Sequence, residues 1–376
     1  MTSMLAGLKV VDFTSMMAGP LCTRYLADLG AEVTKVEEPG GDYMRSRPPL
    51  REGRSAYFAH LNAGKASVVI DLKTEEGLAQ ARRLVGAADI VVESFRPGVM
   101  ARLGLDYDTV RAGNERVVYC SISGFGQTGP SAQRPAYAQV VHAVSGYDRA
   151  FMSYQEGQEK PANSVLFVAD ALAASHALSA ILAALHQRAR DGKGHHVDVS
   201  LLEGMLNLMV YEIQAAQFPV ERPRAKYEPM ATADGFILVA PTTPKNFENV
   251  CRAIGRPDML EDPRFATVED RYAHWDALMA AIGDWTAGHS TQACEEVLCA
   301  AGVPCGRYNS VADALRDPQV EALQSMATTH DASGPVKIPR LPFRLDGVPV
   351  AVGAHVPELG TEAPVARART SAKPQE

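Results

Sequence analysis

Asp170 is the residue whose surroundings most suggest chemistry. It is the only carboxylate between Glu159 and Asp191, and it is flanked by Val165-Leu166-Phe167-Val168-Ala169 and Ala171-Leu172-Ala173-Ala174. An aspartate opening a helix is commonly an N-cap, contributing about 1 kcal/mol. A carboxylate stripped of water by apolar neighbours, yet kept ionised by a helix N-terminus, also suits a nucleophile. Sequence spacing alone leaves both readings open.

Other candidates carry less. Gly124-Phe125-Gly126-Gln127-Thr128-Gly129 has the G-x-G-x-x-G form, but that motif should open a helix that receives a pyrophosphate. Here Pro130, Ser131 and Pro135 follow, which reads as a glycine-rich loop. The turn Thr14-Ser15-Met16-Met17-Ala18-Gly19-Pro20 has one glycine, which disfavours a nicotinamide enzyme despite Glu37-Glu38 at the ribose position. Small Ala18 and Gly19 before Pro20 nevertheless let a ligand approach backbone N–H groups at a helix start. His195 and His196 are strand neighbours facing opposite ways, so they read as a surface and a core histidine rather than metal ligands. There is no G-x-S-x-G elbow, and the six cysteines show no CxxC pair, which argues against a disulfide scaffold or a structural zinc site. No metal site is expected.

The elements that must position these residues alternate. Residues 8–13 read as a buried strand, 20–29 as a helix closed by Gly30, and 32–37 as a second strand. The pattern recurs with a strand at 66–70, a helix at 75–86, a strand at 89–93, a short helix at 97–103 and a strand at 116–122. A long helix over 171–190, ended by Gly192-Lys193-Gly194, a strand at 196–199 and a second long helix from 201 to about 218 follow. This alternation predicts a doubly wound parallel sheet of α/β class. Pro219 and Glu221-Arg222-Pro223-Arg224 mark a linker, after which a strand at 235–240 opens a region rich in helices (245–254, 271–287, 291–301). Short strands at 335–338 and 343–345 bring the chain back, and a tail from about 361 reads as poorly ordered.

The chain has 376 residues, is 46% hydrophobic and 22% charged, and carries a net charge of -7, which excludes disordered and collagenous classes. That charge gives no overall case for binding nucleic acid or an anionic membrane, so an anionic ligand needs a local basic patch. With neither a leader-like start nor an apolar run of about 18 residues, a cytoplasmic protein is expected.

Several segments together resemble the class III CoA-transferase family, which includes formyl-CoA and carnitine CoA-transferases and is related to alpha-methylacyl-CoA racemase. They are Leu8-Lys9-Val10-Val11-Asp12-Phe13-Thr14 with Ala18-Gly19-Pro20, then Leu29-Gly30-Ala31-Glu32-Val33, and Ile70-Asp71-Leu72-Lys73. Glu93-Ser94-Phe95-Arg96-Pro97-Gly98, Ser121-Ile122-Ser123-Gly124-Phe125-Gly126, Val197-Asp198-Val199-Ser200 and Gly302-Val303-Pro304-Cys305-Gly306 continue the set. The likeness runs from residue 5 to about 360. It implies that Asp170 is the nucleophile, forming an aspartyl anhydride and then an aspartyl-CoA thioester. It also implies that Tyr137 lies beside Asp170, and that coenzyme A, a substrate rather than a permanent cofactor, meets Ala18, Ile70, Phe95, Val99 and Arg102. Arg102 is the expected phosphate partner.

Where the racemases resemble a pattern with adjacent His and Asp, this chain has Tyr137 and Ala138, so no base remains there for α-proton exchange. Met17 replaces a glutamine of the oxalate branch, Glu38 an arginine, and Tyr227-Glu228-Pro229-Met230 a glycine-rich loop; these departures argue against oxalate.

The resemblance implies a large Rossmann-like domain over 1–200 with a return at about 325–360, a helix and linker over 201–225, a smaller α+β domain over 226–320, and a flexible tail over 361–376. It further implies an interlocked homodimer with no nucleic-acid or membrane partner. The expected activity moves CoA between an acyl-CoA thioester and a small carboxylic acid such as succinate, malate, itaconate or mesaconate. Met16, Met17 and Met152 would instead suit a larger acyl chain. The alternatives are an acyl-CoA racemase or epimerase, and a CoA-binding protein without turnover.

Overall fold

The computed structural model describes residues 4–220, 224 and 226–360. Of the expected linker, Glu221–Pro223 lies outside the described residues, as does the tail over 361–376. The chain separates into two compact units: one runs to Gln217 and resumes at Ala322, the other is Phe218–Glu321.

In the first unit the order is β1 (Lys9–Phe13), α1 (Ala18–Asp28), β2 (Glu32–Glu37), α2 (Ala56–Asn62), β3 (Ala66–Val69), α3 (Glu75–Gly86) and β4 (Ile90–Glu93). Then come α4 (Val99–Leu103), α5 (Tyr107–Gly113), β5 (Val118–Ser123), α6 (Ala138–Val144), α7 (Tyr147–Ser153), α8 (Val168–Asp191) and β6 (His196–Ser200). The six strands form one sheet in the order β3-β2-β1-β4-β5-β6, every neighbouring pair parallel. Its central strands are near-continuous apolar runs because both faces are covered. Val10, Ile90, Val92, Val118, Cys120 and Ile122 face a core shared with Leu21 and Leu26 of α1 and Ala173, Ala177 and Ile181 of α8. The alternate residues Val11, Phe13, Val91 and Tyr119 face Ala81, Val85, Met100 and Leu105.

The long helix begins three residues earlier than the sequence predicts, at Val168, so Asp170 sits inside its first turn. α8 is long and apolar enough to cross a membrane by length and composition alone. Here it is a core helix, and its fully buried Ala169, Ala173, Ala174 and Ala177 let it pack closely on α1. The predicted second long helix is broken at Met209 into α9 (Leu201–Leu208) and α10 (Val210–Ala215). Neither histidine of the pair is a core residue: His195 lies 3.7 Å from Asp191, and His196 stacks on Tyr107 at 5.0 Å on the edge strand. The loop after β5 leads to α6 only at residue 138, so the glycine-rich segment opens no helix.

The second unit pairs β7 (Met230–Ala231), β8 (Phe236–Val239) and β9 (Cys305–Arg307) antiparallel. Ile237 and Val239 pack against Phe247 and Val250 of α11 (Pro244–Ala253), Leu278 and Ile282 of α12 (Trp275–Ala287), and Leu298 of α13 (Thr291–Ala300). A hairpin of β10 (Met326–Asp331) and β11 (Gly334–Pro339) belongs to the first unit, where Arg24 donates to the Pro339 carbonyl at 2.7 Å.

Candidate functional site

The N-cap position of α8 belongs to Phe167, so Asp170 is a first-turn residue and not the cap. Among the described residues no group donates a hydrogen bond to its carboxylate. Burial pushes its pKa up to about 6, while the helix N-terminus favours the anion. The result is a half-desolvated carboxylate with uncommitted lone pairs, as a nucleophile requires.

Tyr57, at the start of α2, is the neighbouring polar group. Burial and then the Asp170 charge push its phenol up to about 12, so it stays protonated. Its hydroxyl donates to Met17 Sδ at 3.2 Å, a weak acceptor that a better one would displace. Met17 is the N-cap residue of α1, and Met16 before it adopts a left-handed φ of 67°, a conformation that costs energy for a residue with a side chain. No side chain caps α1, so the N–H groups of its first turn remain available beside Ala18.

A buried polar cluster holds that loop. Asp12 accepts from the Thr14 N–H at 2.9 Å, from Thr23 Oγ1 at 2.6 Å and from Lys65 Nζ at 2.9 Å. Lys35 Nζ donates to the Thr14 carbonyl at 2.8 Å, and Lys65 Nζ to the Pro20 carbonyl at 2.9 Å. Burial alone would raise the Asp12 pKa, but the Lys65 and Lys35 ammonium groups and the two threonine hydroxyls hold it well below the usual carboxylate range.

β1 and β4 are adjacent, and the strand order reverses between them; this is where open α/β sheets bind ligands beyond their carboxyl ends. The loops there are joined: the Ser15 N–H donates to Ser94 Oγ at 3.3 Å, and Gln133 Nε2 to the Pro97 carbonyl at 3.0 Å. Glu93, its pKa pushed up to about 7 by burial, accepts from the Phe95 N–H at 2.8 Å.

Phe95 and Val99 are partly buried on this edge, Ala18 is buried at the start of α1, and Arg102 is an exposed cation with no hydrogen-bond or ion-pair partner among the described residues. The Ile70 side chain lies in the core at 3% exposure, so it can offer a ligand only its backbone. Tyr137 stands before α6, 66% exposed; its carbonyl accepts from the Val140 and Val141 N–H groups, and its hydroxyl has no hydrogen bond among the described residues. No hydrogen bond joins it to Asp170 among the described residues.

Sequence reasoning missed Tyr57 and His142. His142 is fully buried and its Nε2 accepts from the Ala169 N–H at 3.1 Å, one residue before Asp170. Tyr57 carries no motif, and a single histidine in an apolar helix gives no signal without its distant partners. No group of three or more His, Cys, Asp or Glu among the described residues is placed to hold a metal ion. Two cavities of about 400 and 350 Å³, one beside Arg54 and Glu358 and one beside Asp234 and Arg307, are not lined by Asp170.

Residues 5–363 match the model of CoA-transferase family III. The chain is 36% identical to the succinate–glutarate CoA-transferase of Agrobacterium fabrum, over 95% of this chain and 93% of the relative. It is 35% identical to the succinyl-CoA–D-citramalate CoA-transferase of Chloroflexus aurantiacus, over 95% and 91%. Among solved structures, Rv3272 from Mycobacterium tuberculosis superposes with a TM-score of 0.85 at 31% identity, covering 95% of this chain and 96% of that one. With likeness of sequence and fold both running nearly end to end, the chain belongs to CoA-transferase family III and is an enzyme of that class.

Proposed function

We propose that this enzyme moves CoA between an acyl-CoA thioester and a small dicarboxylate through covalent intermediates on Asp170. The observation that carries the reading is the half-buried, unbonded Asp170 carboxylate at a helix start, its pKa raised to about 6. The carboxylate attacks the thioester carbonyl, the C–S bond breaks, and an aspartyl-acyl anhydride and CoA thiolate result. The thiolate attacks the aspartyl carbonyl, expelling the first acid and leaving an aspartyl-CoA thioester. The incoming carboxylate then repeats both steps in reverse, and no net proton is consumed.

Tyr57, which has exchangeable Met17 as its acceptor, supplies a donor for oxygen charge that develops beside Asp170. Arg102 and the edge formed by Ala18, Ile70, Phe95 and Val99 take the CoA moiety, with Arg102 on phosphate. In this reading Tyr137, exposed at the start of α6, is the residue that comes to lie beside the nucleophile. Support for transfer over racemisation comes from His142, whose ring nitrogens both have partners, so it offers no free base for an α-proton.

The dicarboxylate class follows the relatives, whose names specify succinate, glutarate and citramalate. The test is CoA exchange from succinyl-CoA to a panel of free acids, followed by chromatography of the thioesters. Transfer to C4–C6 dicarboxylates above monocarboxylates of equal length is expected. Preference for long-chain monocarboxylates would overturn the substrate class, and solvent deuterium at the acyl α-carbon without transfer would overturn the reaction.

A further inference from the structure

His142 is a buried polar side chain bonded to the residue just before Asp170. It is fully buried on α6, its Nε2 lies 3.1 Å from the Ala169 N–H, and its Nδ1 lies 2.9 Å from Ser164 Oγ. A backbone N–H can only donate, so Nε2 must be the unprotonated nitrogen and Nδ1 carries the proton. Nδ1–H then donates to Ser164 Oγ, whose own proton goes to Asp148 Oδ1 at 2.6 Å. Each atom in this chain has one role, and the order Asp148, Ser164, His142, Ala169 N–H is the only assignment that satisfies all three bonds. Three consecutive segments, α6, α7 and the stretch before α8, thus converge on one amide of the first turn of α8.

We propose that His142, locked in one tautomer by Ser164 and Asp148, is a positioning residue that caps the Ala169 N–H and so fixes the Asp170 carboxylate while leaving it uncommitted. This rests on Asp170 being the nucleophile. The physical point is competition. With no side chain from Phe167 to cap α8, an uncapped Ala169 N–H would be open to the Asp170 carboxylate, and a carboxylate engaged by its own helix is a weaker, misdirected nucleophile. An imidazole acceptor removes that competitor without adding a second charge beside the attacking group.

The test uses His142→Leu, which removes the acceptor; His142→Gln, whose Oε1 can accept from Ala169 and whose amide can donate to Ser164; and Ser164→Ala, which unlocks the tautomer. Each is compared with the wild-type enzyme for kcat, for KM of succinyl-CoA, and for the single-turnover rate of adduct formation at Asp170. The expectation is a fall in kcat and in adduct rate of about a hundredfold for His142→Leu, the scale of a misplaced reacting group. KM is expected to stay within about twofold, most of the rate to return with His142→Gln, and Ser164→Ala to lose about tenfold. If His142→Leu does not fold, Ser164→Ala gives the same readout. An unchanged adduct rate in the variants overturns the proposal, as does equal loss in Leu and Gln with KM rising in step, which is the signature of a merely structural cap. If the wild-type enzyme forms no adduct at Asp170, the nucleophile reading fails, and this proposal with it.

Discussion

The Asp170 carboxylate is costly to the fold in the ionised form that the proposed reaction needs. Its pKa rises from 3.8 to about 6 through burial, so the charged state opposes folding. At about 1.4 kcal/mol per pKa unit, ionisation at neutral pH destabilises the protein by about 3 kcal/mol. The folded state binds the proton more tightly than the unfolded chain does. Stability therefore falls as pH climbs from about 4 to about 6 and is level above that. Asp170→Asn should then be more stable than wild type at neutral pH by up to about 3 kcal/mol, with the gain gone below about pH 4, as read by urea melts. Activity should run the opposite way, kcat/KM falling as pH drops through about 6. At the phosphate end, Arg102→Ala should raise KM for an acyl-CoA about tenfold, since a charge-assisted hydrogen bond at an exposed site is lost. KM for an acyl-pantetheine without those phosphates should not move.

At the scale of elements, the site depends on how closely the first turn of α1 approaches the loop before it. A Cβ added at Gly19 would run into the Thr14 side chain, whose hydroxyl donates to Asp12, in a residue whose N–H and carbonyl are held by Asp12 and Lys35. Gly19→Ala should cost about 1–3 kcal/mol by overpacking and displace Met17 from Tyr57. Thermal melts and the acylation rate would both report it, and a fully active, fully stable variant would show the loop to be soft. Legibility was greatest at this scale. Val10, Val11, Ile90, Val91, Val92 and Val118 sit in strands covered on both faces, so an apolar run sufficed to announce them. The break at Met209 was not legible, because neither proline nor glycine marks it. Asp170 stood out because it interrupts an apolar run, whereas Tyr57 and His142 gain their meaning only from partners that folding brings together.

For the whole molecule, the first unit leaves large apolar side chains exposed, two of them just before the helix that carries Asp170. Tyr137, Val165, Leu166 and Val210 are each at least 64% exposed, which is costly surface for an isolated chain. The family resemblance and this surface together predict a homodimer, so light scattering should give twice the 40.4 kDa chain mass at micromolar concentration. A monomer at that concentration would contradict it. The most direct test of the central claim is peptide mass spectrometry after incubation with succinyl-CoA and trapping with hydroxylamine. The account predicts a hydroxamate on the peptide containing Asp170, formed only with thioester present and absent, along with transferase activity, in Asp170→Ala. Full CoA transfer by Asp170→Ala, or turnover by the wild type with that peptide unmodified, would contradict it.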